Sequence, residues 1–133
     1  MKKFFLDTNS YSSLFEGDKI IQKEIANADI VYISVITLGE LYRGFKGGTR
    51  ETDNAKLLED FLSKPNIEIS PLNKKIAKVY GDVSYLLRKQ GTPLPTNDVW
   101  IAAQTIETDS TLITYDEHFL KIKGLKLWSR ILK

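Results

Sequence analysis

Lys2-Lys3-Phe4-Phe5-Leu6-Asp7-Thr8-Asn9 is the stretch on which the fold turns. Apolar, β-prone residues run to Leu6 and stop abruptly at an acid followed by two small polar residues, the pattern of a short buried strand passing into a helix. The pattern recurs outward from there. Ser10–Phe15 reads as a helix, Gly17-Asp18 punctuates, and Lys19–Asn27 reads as a second helix. Ile30-Val31-Tyr32-Ile33 is β-branched and aromatic like a buried strand, and Ser34 is placed to cap a helix that stops at Gly47-Gly48. Thr52–Ser63 is amphipathic, with Leu57, Leu58, Phe61 and Leu62 on one side, and Pro65 ends it. Ile67-Glu68-Ile69 reads as a third strand, with Pro71 in the turn that follows. The longest helix is expected over Asn73–Gln90, where Ile76, Val79, Tyr80, Val83 and Leu87 recur at helical spacing. Gly91 closes it, Thr92-Pro93-Leu94-Pro95-Thr96 is an extended connection, and a helix follows from Asn97 or Asp98 to Glu107. Thr111–Thr114 and Leu125–Trp128 are the fourth and fifth expected strands. Such alternation predicts an α/β sandwich with helices covering a largely parallel sheet of five strands.

The chain of 133 residues suits one domain spanning residues 1–133. Hydrophobic residues at 42% and charged residues at 27% match a soluble globular chain, which excludes disorder, collagen-like repeats and coiled coil as the main state. The longest apolar run, Ile30–Ile36, is broken by Ser34 and is far short of the ~18 residues that span a bilayer. Asp7 falls too early for the apolar region of a signal peptide, so the expected location is the cytoplasm. Cysteine is absent, which removes disulfides, thiolate zinc sites and cysteine nucleophiles. His118 is the single histidine, so no site needing two imidazoles is available. A formal charge of +2 permits nucleic-acid binding without demanding it.

In open α/β sheets ligands bind beyond the carboxyl ends of the strands, and two aspartates stand there. Asp7 directly follows the first strand and Asp116 follows the fourth by two residues. On neighbouring parallel strands their carboxylates converge, and like charges held together need a proton or a cation between them. Hard oxygen ligands select Mg²⁺ or Mn²⁺. Each acid also has an ordinary reading. Asp7 and Asp116 could cap the helical turns that follow them, and Asp98 could be a first-turn acid. Glu40 points about 150° away from the stripe of Leu38, Leu41, Tyr42 and Phe45 on its helix, which suits a solvated residue paired with Arg43.

Together, Leu6-Asp7-Thr8-Asn9, Gly39-Glu40-Leu41-Tyr42-Arg43-Gly44, Asn97-Asp98-Val99-Trp100-Ile101-Ala102-Ala103 and Thr114-Tyr115-Asp116-Glu117-His118-Phe119 resemble, in order and separation, the motifs of the PIN domain family. The resemblance covers Lys2–Trp128 and is strongest to the short VapC-type toxins of prokaryotic toxin–antitoxin pairs. It implies a three-layer α/β/α fold and an Mg²⁺- or Mn²⁺-dependent endoribonuclease. The family's acidic quartet falls on Asp7, Glu40, Asp98 and Asp116, with metal ligation mainly from Asp7 and Asp98, Asp116 direct or through water, and Glu40 in contact or just behind. Thr114 resembles the hydroxyl residue beside the metal site, and Asn9 the polar neighbour that orients the first aspartate. His118 resembles no catalytic group of the family and is expected to be solvated beside Phe119.

The resemblance further implies hydrolysis of single-stranded or loop RNA by metal-activated water, with transfer-RNA and ribosomal-RNA loops as candidate substrates. Arg43, Lys46, Arg50, Arg88 and Lys89 are candidates for tracking the RNA backbone, against the alternative of solvated helix faces. Leu38, Tyr42, Phe45, Leu57, Phe61 and Leu62 are read either as core or as a groove for a VapB-type antitoxin segment that brings an Arg towards the carboxylates. A homodimer is implied as well. Receiver and haloacid-dehalogenase chemistries need a second acid that Thr8 and Asn9 do not provide, and no Gly-x-Ser-x-Gly turn is present for a serine hydrolase. The remaining rivals are a PIN-fold module that binds RNA or protein without cutting, and a housekeeping nuclease of RNA maturation.

Overall fold

The computed structural model describes residues 1–132, and the side chain of Leu132 lies outside the description. Its strands are β1 (Lys3–Leu6), β2 (Ile30–Ser34), β3 (Ile67–Ser70) and β4 (Thr111–Ile113). They form one parallel sheet in the order β3-β2-β1-β4. The helices are α1 (Thr8–Phe15), α2 (Lys19–Ala26), α3 (Val35–Lys46), α4 (Glu51–Leu62), α5 (Lys74–Gln90) and α6 (Thr96–Glu107). A 3-10 turn at Glu117–Lys121 follows β4 and another lies at Ser129–Leu132.

Successive residues of a strand face opposite sides of a sheet, and here that parity builds two cores. Leu6, Val31, Ile33, Ile67 and Ile113 pack with Tyr11, Ile21, Leu41, Leu58 and Phe61 on the side of α1–α4. Phe5 and Leu112, one position off, pack with Val83 and Leu87 of α5 and with Val99, Ile101 and Ala102 of α6. This is the α/β/α layering expected from the alternation of elements. Side-chain caps mark four α-helix starts: Asp7 at α1, Asp18 at α2, Ser34 at α3 and Asn73 at α5. Gly91, at φ 77°, closes α5 in the left-handed conformation that glycine adopts without strain.

The expected fifth strand does not form. Leu125–Trp128 contributes a single parallel bridge between Leu112 and Leu127, made by Leu112 N–H to the Lys126 carbonyl at 2.8 Å and Trp128 N–H to the Leu112 carbonyl at 3.0 Å. Gly124 turns the chain at φ 85° just before it and the 3-10 turn starts at Ser129, which leaves too few extended residues to continue a ladder. β4 is likewise one residue shorter than expected, ending at Ile113. The chain runs β1 to β2 to β3 in one direction and then returns to place β4 on the other side of β1. The strand order therefore reverses between β1 and β4, and the crevice at their carboxyl ends is the place where such a sheet admits a ligand.

Candidate functional site

Leu6 is in register with Ile113, so Asp7 and Thr114 leave the sheet side by side. Asp7 is 5% exposed. It caps α1, its Oδ1 accepting from Ser10 N–H at 2.8 Å, while its Oδ2 accepts from the Thr114 hydroxyl at 2.5 Å. The Ser10 hydroxyl in turn donates to the Ile113 carbonyl at 2.8 Å, pinning the first turn of α1 to β4. Thr114 Oγ1 also accepts from Asp116 N–H at 3.0 Å, and Trp128 Nε1–H donates to the Thr114 carbonyl at 2.6 Å. Thr114 thus links both strand-end aspartates. Burial pushes the Asp7 carboxyl above its ordinary range, against the lowering effect of the bonds from Thr114 and Ser10, with the Asp116 charge adding to the rise.

Asp116 caps the 3-10 turn, its Oδ1 accepting from His118 N–H at 2.9 Å with His118 Nδ1 also 2.9 Å away. Asp98 is the third residue of α6, whose N-terminal dipole favours an anion. Its pKa is nevertheless raised from 3.8 to about 6, first by burial and then by the charges of Asp116, Asp7 and Glu40, with His118 opposing. The three other acids expected from sequence all bear on Asp98. Glu40 is exposed, as its place on the helix wheel predicts, but its partner is not Arg43. Its Oε1 lies 2.7 Å from Thr8 Oγ1, which is itself 3.1 Å from the Thr37 hydroxyl. Thr8 follows Asp7 directly, so the start of α1 holds Glu40 at the rim of the crevice.

Four carboxylates form a hard-oxygen donor set, which suits Mg²⁺ or Mn²⁺ in its chemistry. Among the described residues no three acidic or imidazole groups already stand as a ligating cluster. Asp7 is fixed, each of its oxygens keeping a second lone pair for a ligand. Glu40 is exposed and Asp116 about a third exposed, and each keeps carboxylate oxygen lone pairs beyond its bonds to Thr8 and His118. The donor set fits such an ion in its chemistry.

Asn9 is exposed and makes no hydrogen bond to Asp7; Ser10 and Thr114 orient that carboxylate instead. Ser10 could have been found as the third residue after a strand-end Asp, where a capped N–H belongs, and Thr8 carried no comparable signal. Of the five candidate cations, Lys46 pairs with Glu51 at 2.9 Å and Arg50 with Asp53 at 3.5 Å. Arg43 borders a cavity with Glu40 and Thr8, and Arg88 borders one with Val99, next to Asp98. Lys89 makes no ion pair among the described residues. The apolar set divides as well. Phe61 is buried, and Leu38, Phe45 and Leu62 pack on the core around it, whereas Tyr42 and Leu57 are exposed at 39% and 46%. Phe45 and Leu57 line a cavity of about 340 Å³ between α1, α3 and α4.

Fold and site together define a small α/β protein that gathers carboxylates from β1, α3, α6 and the β4 end at the switch point of its sheet. The PIN domain family matches residues 4–125, and the chain belongs to that family. Its relatives include Ribonuclease VapC1 of Haemophilus influenzae, 30% identical over 128 residues, 92% of this chain and 94% of that one. Ribonuclease VapC2 of the same species is 33% identical over 105 residues, covering 77% of this chain and 78% of the other. Among solved structures, VapBC-1 from nontypeable Haemophilus influenzae superposes with a TM-score of 0.85 at 28% identity, covering 95% of this chain and 96% of that one.

Proposed function

We propose that the chain is an Mg²⁺- or Mn²⁺-dependent endoribonuclease, the toxin of a VapBC-type pair, cutting single-stranded or loop RNA. The observation that carries the reading is the gathering of Asp7, Glu40, Asp98 and Asp116 about one crevice, where burial and then the three other charges raise the Asp98 pKa to about 6. A site that concentrates negative charge repels a phosphodiester, and it becomes useful to one when a cation is held there. Asp7 and Asp98 would hold the cation, with Asp116 and Glu40 closing on it. Once bound, it would supply charge neutralisation and Lewis acidity at the phosphodiester. Thr114 and Ser10 keep Asp7 oriented, and Thr8 keeps Glu40 at the rim. Arg43 and Arg88 flank the carboxylates and would steady the RNA backbone on either side.

Relatives named Ribonuclease VapC and solved complexes named VapBC support the activity and a VapB-type antitoxin partner. The cavity bordered by Phe45 and Leu57 is the place proposed for an apolar antitoxin segment. A homodimer acting in the cytoplasm completes the reading, and no helix among the described residues is long and apolar enough to cross a membrane.

The test is cleavage of total cellular RNA by purified, antitoxin-free chain, with the new 5′-phosphate ends sequenced. Parallel reactions contain Mg²⁺, Mn²⁺ or EDTA, beside Asp7→Asn and Asp98→Asn. Discrete ends that vanish with chelator and with either variant are expected, and they name the substrate. Absence of metal-dependent ends from the wild type would transfer the assignment to a PIN module that binds without cutting.

A further inference from the structure

The cavity beside Glu40 is an open depression of about 550 Å³, bounded by Thr8, Glu40, Arg43, Gly44, Gly47 and Gly48, most of them exposed. Three of its features point to one kind of occupant. The Arg43 guanidinium makes no ion pair or hydrogen bond among the described residues, so a cation stands ready one turn from Glu40. The Gly44 carbonyl belongs to the last turn of α3, yet Gly47 N–H goes to the Arg43 carbonyl and Gly48 N–H to that of Phe45, which leaves it without a donor among the described residues. It faces the positions where Cβ atoms of Gly47 and Gly48 would stand, at 3.7 and 3.8 Å. A Cβ on Gly44 would meet nothing within 4 Å, and none of the three glycines has a positive φ. The fold therefore does not require glycine here, and glycine inside a helix costs stability. What the bare backbone preserves is room.

We propose that this cavity is a nucleotide subsite, holding one base of a single-stranded RNA beside the carboxylates and its phosphate on Arg43. The inference rests on the ribonuclease reading and adds to it a place where sequence preference is set. The carboxyl end of a helix carries partial negative charge, so it refuses a phosphate and accepts N–H donors. The edge of a base bearing an amino or imino group offers those donors to the Gly44 carbonyl. The guanidinium of Arg43 then meets the phosphate that the helix end turns away.

The probe is a fluorescein-labelled eight-nucleotide single-stranded RNA of mixed sequence, and the readout is its anisotropy with the full chain in Ca²⁺, a hard cation that neutralises the carboxylates, with the probe checked by gel to be uncut. Gly44→Ala and Gly44→Leu fill the cavity, Arg43→Gln removes the cation, and Gly81→Ala on α5 is the control, since a Cβ there also meets nothing within 4 Å. Gly44→Leu is expected to weaken binding about tenfold, as loss of one well-made contact does, with a thermal midpoint at or above that of wild type. Arg43→Gln is expected to make log Kd less steep in log[salt] by about 0.7, one phosphate contact on a single strand. An abasic nucleotide walked along the probe should weaken wild-type binding at one position and leave Gly44→Leu indifferent there. Gly81→Ala should bind as wild type does. Unchanged RNA affinity in a folded Gly44→Leu, or an abasic scan without a sensitive position, overturns the subsite even where wild type cleaves RNA. If wild type binds and shows the subsite but cuts nothing with Mg²⁺ or Mn²⁺, the nuclease reading fails and the subsite stands. Failure of wild type to bind the probe overturns the subsite.

Discussion

Replacing Asp98 with Asn is expected to stabilise the fold while it destroys the activity, because the native site resists the charge that the chemistry needs. The carboxyl has a pKa of about 6 in the folded chain against 3.8 for a free aspartate. A gap of about two pH units at ~1.4 kcal/mol each amounts to ~3 kcal/mol, and partial exposure to solvent trims it to ~2 kcal/mol. The sign follows from linkage: the folded chain holds this proton more tightly than the unfolded one between pH 3.8 and about 6, so stability declines as pH rises through that window and stays low above it. Asn keeps the size and a hydrogen-bonding end but carries no charge at any pH. Asp98→Asn should therefore melt roughly 6–10 °C above wild type at pH 7.5, for a chain of this size. At pH 4 the wild-type carboxyl is mostly protonated and the gap should shrink to about 2 °C or less. Circular-dichroism melts of both proteins in EDTA, from pH 4 to pH 8, measure the difference directly and cancel groups that titrate alike in both. Added Mg²⁺ should raise the wild-type midpoint and leave that of Asp98→Asn nearly unmoved, since only the former keeps the ligand. An Asp98→Asn variant that melts lower at pH 7.5, or a gap of equal size at pH 4, would refute the reasoning.

Three other outcomes follow from the hydrogen bonds. Thr114→Val leaves the buried Asp7 carboxylate without one donor and Asp116 N–H without its acceptor; denaturant titration should show a loss of about 1–3 kcal/mol, with Thr114→Ser near wild type. Gln104 is fully buried, takes the Ser34 hydroxyl at 2.6 Å and donates to the Ser70 and Pro71 carbonyls at 2.9 and 3.2 Å, tying α6 to the ends of β2 and β3. Gln104→Leu should cost about 2–4 kcal/mol in the same titration, since it strands three polar groups at once. Thr8→Val releases Glu40 near the surface, so thermal midpoints should move by no more than about 2 °C while RNA cleavage falls on the order of tenfold, the range for groups that orient a metal ligand.

The order of strands and helices was readable because each element advertises itself locally. Phe4-Phe5-Leu6 and Ile30-Val31-Tyr32-Ile33 are too apolar and β-prone for anything but buried strands, and Ser34 caps the helix it was expected to cap. Asp7 and Asp116 were legible for the same reason, since a polar residue at the carboxyl end of a buried strand must sit at the crevice. Their capping readings held at the same time: both aspartates cap, and both face the crevice. Leu125–Trp128 misled because its composition is that of a strand, while the turn at Gly124 and the one after Trp128 leave room for a single bridge.

Side-chain partners were beyond local reading. Thr114 meets Asp7 across 107 residues of sequence and Thr8 meets Glu40 across 32. Helical periodicity placed Glu40 towards solvent, and so it is, but whether that solvent is bulk or a crevice depends on where α1 begins relative to α3. In the same way Asn9 and Ser10 are equivalent polar neighbours of Asp7 in sequence, and only the first turn of α1 decides that Ser10 N–H reaches the carboxylate. Arg43 and Lys46, three residues apart on one helix, part company because Glu51 takes the lysine and nothing takes the arginine. Periodicity, capping and strand composition are properties of a few consecutive residues, so the chain alone settles the elements and the edge at which acids collect. Which carboxylates share a crevice, what holds each one still, and which cations remain free depend on crossovers between β1 and β4 and between α1 and α3, where distance in space bears no relation to distance along the chain.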